Sequence, residues 1–147
     1  MNEVDLRAGD IFTWQNYPYF FKEAKPQRWV LYLGNNTIEA IVYHISATTQ
    51  YQYYDKDGIR KNNNFFELPA GMGGLEEKSI LDLSFFMPIP EADLNKCKSD
   101  INKKGSLSQD YISRFAKYLK NDRHIQTIVK KDIFHYLQDA GFKITWN

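Results

Sequence analysis

The 147-residue chain has one cysteine, three histidines, a formal net charge of +1 and no long apolar run, and each shortage removes a class of protein. The lone Cys97 cannot close an internal disulfide. His44, His124 and His135 are scattered and Cys97 has no neighbouring cysteine, so no metal site and no cofactor is expected. Nothing approaches the roughly 20 apolar residues that cross a bilayer, and the opening MNEVDLRAGD is acidic and polar, unlike a signal peptide. A cytoplasmic protein with no membrane partner is the expectation. The glycines of residues 69–74 (PAGMGG) resemble a phosphate loop only superficially, because Glu77 precedes Lys78 where that pattern needs glycine. This segment is expected to be a flexible loop whose backbone can approach a neighbour closely. No nucleophile elbow or oxidoreductase fingerprint is present.

What is present centres on residues 25–50. Two runs rich in β-branched and aromatic residues, Trp29 to Leu33 and Ile38 to Ile45, flank Gly34-Asn35-Asn36 and predict a β-hairpin. Before it, Ile11 to Trp14 reads as a strand with Ile11 and Thr13 facing one way and Phe12 and Trp14 the other. Asn16-Tyr17-Pro18 then breaks the run, because proline cannot donate to a ladder. Tyr17, Tyr19, Phe20 and Phe21 make the following loop unusually aromatic. After the hairpin, residues 50–54, 65–68, 79–83 and 85–89 read as further short strands. Five or six short strands with glycine turns suggest a small, strongly bent barrel.

From Pro90 the period changes. Leu94, Cys97 and Ile101 recur at helical spacing, with Gly105 near the stop. Ser108 is placed to cap a second helix presenting Tyr111, Ile112, Phe115, Ala116 and Leu119. Ile125, Ile128, Val129, Ile133 and Leu137 predict a third, ended near Gly141. The expected architecture is therefore α+β, with a barrel over residues 1–90 and a helical extension over 91–147 packed on it as one compact domain. Charge divides at the same place. Residues 1–92 carry a net −4 and residues 93–147 a net +5, which hints at a polyanionic partner, although solvated helix faces give the same imbalance. Lys117, Lys120, Arg123, Lys130 and Lys131 cluster near the junction of the last two helices, a weak likeness to a helix-turn-helix.

Antiparallel pairing of the hairpin brings Arg28, at the entry to the first strand, beside Ser46, at the exit of the second. Positions 44, 46 and 48 share one strand face, so His44, Ser46 and Thr48 line up near a fixed cation. Cleavage of RNA by its own 2′-hydroxyl needs proton donors and acceptors and a cation against the phosphorane charge. Arg28, Ser46 and His44 are thus the candidate catalytic set, with Lys25, Tyr19, Thr48 and Gln50 as candidate RNA contacts. A hydrogen-bonded histidine at a sheet edge is the alternative for His44.

The order Gly9-Asp10-Ile11, Tyr17-Pro18-Tyr19, Lys25-Pro26-Gln27-Arg28 and Val30-Leu31-Tyr32-Leu33 resembles the PemK/MazF toxins of type II toxin–antitoxin systems. Ile45-Ser46 is similar to that family's Ile-Thr, and Ser79-Ile80-Leu81 to its later Ser-Val-Ile strand. The resemblance covers roughly residues 6–90. It implies an SH3-like barrel of the PemK/MazF/CcdB kind, a homodimer, and metal-independent cleavage of single-stranded RNA checked by a cognate antitoxin protein. Carried over by position, Arg28 would stabilise the transition-state phosphate and Ser46 would contact it. The chain departs from the pattern at Trp29, where the family has proline. It departs again at Asp82-Leu83-Ser84, where some members have an Arg-x-Asp acid/base set, and at Phe85-Phe86-Met87, where polar and basic residues are usual. The two-helix tail is also atypical. A ribonuclease with a shifted acid/base set and a non-catalytic barrel that binds protein or nucleic acid both remain open.

Overall fold

A computed structural model describes residues 5–17, 27–35, 39–47, 58 and 65–146; for 39–47, 82 and 84–87 it is the backbone that is described. The strands are β1 (Asp10–Gln15), β2 (Gln27–Asn35), β3 (Glu39–Ala47), β4 (Phe65–Leu68), β5 (Ser79–Pro90) and β6 (Ile101–Ser106). The helices are α1 (Glu91–Lys96), α2 (Gln109–Asn121) and α3 (Thr127–Asp139). Among the described residues all strand pairs are antiparallel, in the order β4-β5-β3-β2-β1-β6. The α+β class is as expected, but the described strands form an open order rather than a closed barrel. No helix among the described residues is long and apolar enough to cross a membrane.

Alternation along β1 and β2 gives the sheet two different faces. Ile11, Leu31 and Leu33 face α2 and α3, joining Phe115, Leu119, Ile133 and Leu137 in the larger core cluster. Phe12, Trp14, Val30 and Tyr32 point the other way into a smaller cluster with Tyr17, Ile89 and Leu94, the last from α1. Complete burial of side chains such as Leu31 and Phe115 contributes about 1.5–3 kcal/mol each, which makes the helical face the main source of stability. Ser108 caps α2 as its position predicts, its Oγ accepting from the Tyr111 N–H at 3.3 Å.

Four expectations fail, each for a physical reason. The single helix expected from Leu94 to Ile101 stops at Lys96; a 3₁₀ turn (Lys98–Asp100) follows, and Ile101–Ser106 returns to the sheet as β6. Pairing with β1 satisfies backbone groups at that strand's open edge, outweighing a short apolar period. The segment after residue 90 is therefore not wholly helical. Residues 79–83 and 85–89 are one twelve-residue strand, β5, interrupted in its pairing rather than in its path. The glycine-rich segment is packed, not loose. Gly71 N–H donates to Leu75 O at 2.7 Å, and the Gly73 backbone lies so close to β6 that a Cβ on Gly105 would meet it at 2.6 Å. Ile128, expected on the buried side of α3, is 67% exposed, whereas Ile125 is buried in the turn before that helix.

Candidate functional site

β2 lies between β1 and β3, and its first residues set the geometry of the predicted site. Arg28 pairs across to Trp14 in β1. On the β3 side the ladder runs from Trp29↔Ile45 through Val30↔His44, so backbone positions 28 and 46 fall side by side one step beyond the Trp29–Ile45 pair. Ser46 faces Ile80 of β5 in the adjoining ladder. The structure therefore brings Arg28, Ser46 and His44 to one end of the β2–β3 pair at the level of the backbone. Lys25, Tyr19, Thr48 and Gln50 lie outside the described residues.

Beside these positions the β3–β5 ladder breaks. Tyr43 pairs with Phe86 but Ile45 pairs with Leu81, so residues 82–85 of β5 bulge out opposite the single residue His44. Bulges bend a strand and re-aim its side chains, and this one bends the sheet next to the Arg28–Ser46 end. Leu83, within the bulge, is fully buried in the larger core cluster.

Arg28 alternates with Val30 and Tyr32, and so belongs to the face away from α2 and α3. It is half-buried, and desolvation pulls its guanidinium below the usual arginine value, opposed by the nearby Tyr17 phenol. Burial in turn pushes the Tyr17 hydroxyl up to about 12, with the Arg28 charge acting against that rise. At neutral pH the pair is a guanidinium beside a neutral phenol. Tyr17 is fixed by an edge-on contact with Trp14, ring centroids 5.2 Å apart. Aromatic packing thus holds the cation in partly dry surroundings, where its field on an anion is stronger than in water.

Two motifs prove structural. In Gly9-Asp10-Ile11, the Gly9 N–H donates to Tyr32 O at 2.8 Å. The buried Asp10 carboxylate accepts from Arg7 N–H at 2.7 Å and Ser106 Oγ at 2.6 Å, with Lys103 Nζ 3.3 Å away. This motif ties β6 to the start of β1. Lys130, counted among the basic residues at the helix junction, is buried, and its ammonium donates to Lys120 O at 3.0 Å and to Asp122 O. It neutralises the carbonyl end of α2 rather than facing solvent. The Asp122 carboxylate holds the same turn by accepting from the His124 and Ile125 N–H groups, both at 2.9 Å.

The opposite side of the molecule carries two concavities that periodicity alone does not reveal. One, of about 750 Å³, lies between β4 and α2 among Phe65, Phe66, Tyr111, Arg114, Lys117 and Tyr118. The other, of about 430 Å³, lies between α2 and the chain beyond α3, among Lys117, Lys120, Asn121, Phe134, Lys143 and Thr145. The helical pattern ends near Gly141, so the contribution of Lys143 and Thr145 had no regular signal to expose it. Among the described residues no three His, Cys, Asp or Glu side chains are grouped to hold a metal ion. No protein-family model matches the chain, and no curated protein matches it.

Proposed function

We propose that this protein is a toxin-like, metal-independent endoribonuclease of single-stranded RNA, on a strongly bent SH3-like sheet of the PemK/MazF/CcdB kind. The observation that carries the reading is the meeting of positions 28 and 46 at one end of the β2–β3 pair, next to the bulge opposite His44. In the reaction the 2′-oxygen of a ribose attacks the adjacent phosphorus, and the 5′-oxygen of the next nucleotide leaves with a proton. The products are a 2′,3′-cyclic phosphate and a free 5′-hydroxyl. Arg28 offsets the negative charge that grows on the phosphorane, a type of contribution of about 10²–10³ in rate. Its guanidinium remains charged throughout the physiological range despite the downward shift. His44 is assigned the proton transfers, as the side-chain type suited to giving and taking a proton, and the Ser46 hydroxyl a hydrogen bond to a phosphate oxygen.

The active species in this reading is a homodimer, since β4 and β6 end the described sheet and such edges invite pairing; a protein antitoxin holds it in check in the cytoplasm. Incubation of the pure protein with a mixed RNA in EDTA tests the activity. Cleavage to cyclic-phosphate ends, lost on Arg28→Ala with the fold intact, is expected. Absence of cleavage together with no growth arrest on expression would remove the enzyme reading. A non-catalytic binding module is the second reading, favoured by Leu83, whose burial commits to packing the stretch where the family's acid/base set would stand.

A further inference from the structure

We propose that the outer face of α2 and the chain beyond α3 form a second track for single-stranded RNA, on the sheet face away from Arg28. The choice of RNA rests on the function proposed above; the track itself stands on separate features of the helices. Arg114, Lys117 and Lys120 recur every third residue along α2, and Lys117 lines both concavities, which joins them into one path. Lys143 closes the second concavity from the tail. Arg114 is engaged with Asp110 at 3.0 Å, and Glu67, which lines the first concavity, with Lys78 at 3.5 Å. By contrast, no described carboxylate lies within ion-pair distance of Lys117, Lys120, Lys131 or Lys143.

Two of these ammonium groups are concentrated on a single ring. Lys120 Nζ and Lys131 Nζ stand 5.8 and 5.7 Å from the centre of Trp146, which is itself wedged edge-on against Phe134 at 5.1 Å. Both ammonium groups are thus held beside an aromatic ring, where their charge remains available to a phosphate. At the other end of the path Tyr118 is 43% exposed and braced edge-on by Phe66 at 5.1 Å, a partly exposed aromatic side chain held in place. Cations interleaved with aromatic surfaces suit a flexible strand with a charged backbone and stackable bases. An acidic peptide would use the lysines alone and leave Tyr118 without a role.

The test uses a fluorescently labelled 2′-O-methyl uridine 15-mer, which lacks the nucleophilic 2′-hydroxyl, with the full chain in EDTA. Three or four phosphate contacts on a single strand give a slope of log affinity against log salt of about −2 to −3. Lys117→Glu with Lys120→Glu is expected to weaken binding at least tenfold and to flatten that slope by about 1.4. Tyr118→Ala is expected to weaken it about fivefold or more. Both sites are exposed, and matching melting curves check that the variants fold. A 4-thiouridine version should crosslink to α2 and residues 142–146. Crosslinks confined to residues 27–35, unchanged affinity in the double variant, equal affinity for duplex RNA, or displacement by polyglutamate at equal charge concentration would each overturn the track. Crosslinks on α2 without any cleavage of natural RNA would leave the track standing and sink the ribonuclease; cleavage with no α2 crosslinks would do the reverse.

Discussion

On one face of the sheet, Leu31 and Leu33 disappear beneath two thirteen-residue helices; on the other, Val30 and Tyr32 meet Phe12, Trp14, Tyr17 and a single short helix. The first face gains stability from area, because whole aliphatic and aromatic side chains leave water there. The second keeps a half-buried guanidinium among rings, an arrangement that adds little to stability and much to the field on a nearby anion. The proposed division of labour follows: chemistry on the thinly covered face, cohesion and RNA tracking on the helical side.

The largest expected effect falls on the first half of that contrast. Arg28→Ala should reduce RNA cleavage by about 10²–10³-fold, read by a fluorogenic RNA in EDTA. Its urea midpoint should move little, because the side chain is half-exposed. A large loss of stability with cleavage intact would reverse the assignment of the two faces. Lys130→Met should do the opposite, costing about 2–3 kcal/mol in urea denaturation by leaving the α2 terminal carbonyls without their charged donor. Cleavage per folded molecule should then be retained.

Gly105→Ala should cost about 1–3 kcal/mol, since the new methyl group would meet the Gly73 backbone and push the packed turn off β6. The smallest effect is expected from pH. The Tyr17 hydroxyl is raised from 10.0 to about 12 by burial, so the fold favours its protonated form. That stability is fully present below pH 10 and is lost as pH rises towards 12. Tyr17→Phe should flatten this alkaline limb in a pH series of thermal melts, and an unchanged limb would place the titrating group elsewhere.

Much of this was legible because period and turn chemistry are local. The alternation of Ile11 to Trp14, the β2 run, the Phe65–Leu68 strand, the Ser108 cap and the buried stripe of α2 follow from neighbouring residues alone. β6 did not, because Ile101–Ser106 becomes a strand only through β1, an interaction between residues far apart in the chain. Lys130 was misplaced for the same kind of reason. A lysine on an amphipathic helix reads as solvated until the carbonyl end of another helix is set against it. For the site, antiparallel pairing was enough to foresee that positions 28 and 46 converge, whereas the bulge at residues 82–85 depends on how β5 spans both β3 and β4.

The Ser106–Asp10 hydrogen bond spans 96 positions of chain. A ribosome must release the chain through β6 before β1 acquires its outer neighbour. Until then its amide edge stays open, and Asp10 lacks both Ser106 and Lys103. If the molecule is harmful to its host, late closure delays the competent form until β6 has been made. A nascent chain stalled before residue 101 would expose an edge that a chaperone or a sister chain could occupy.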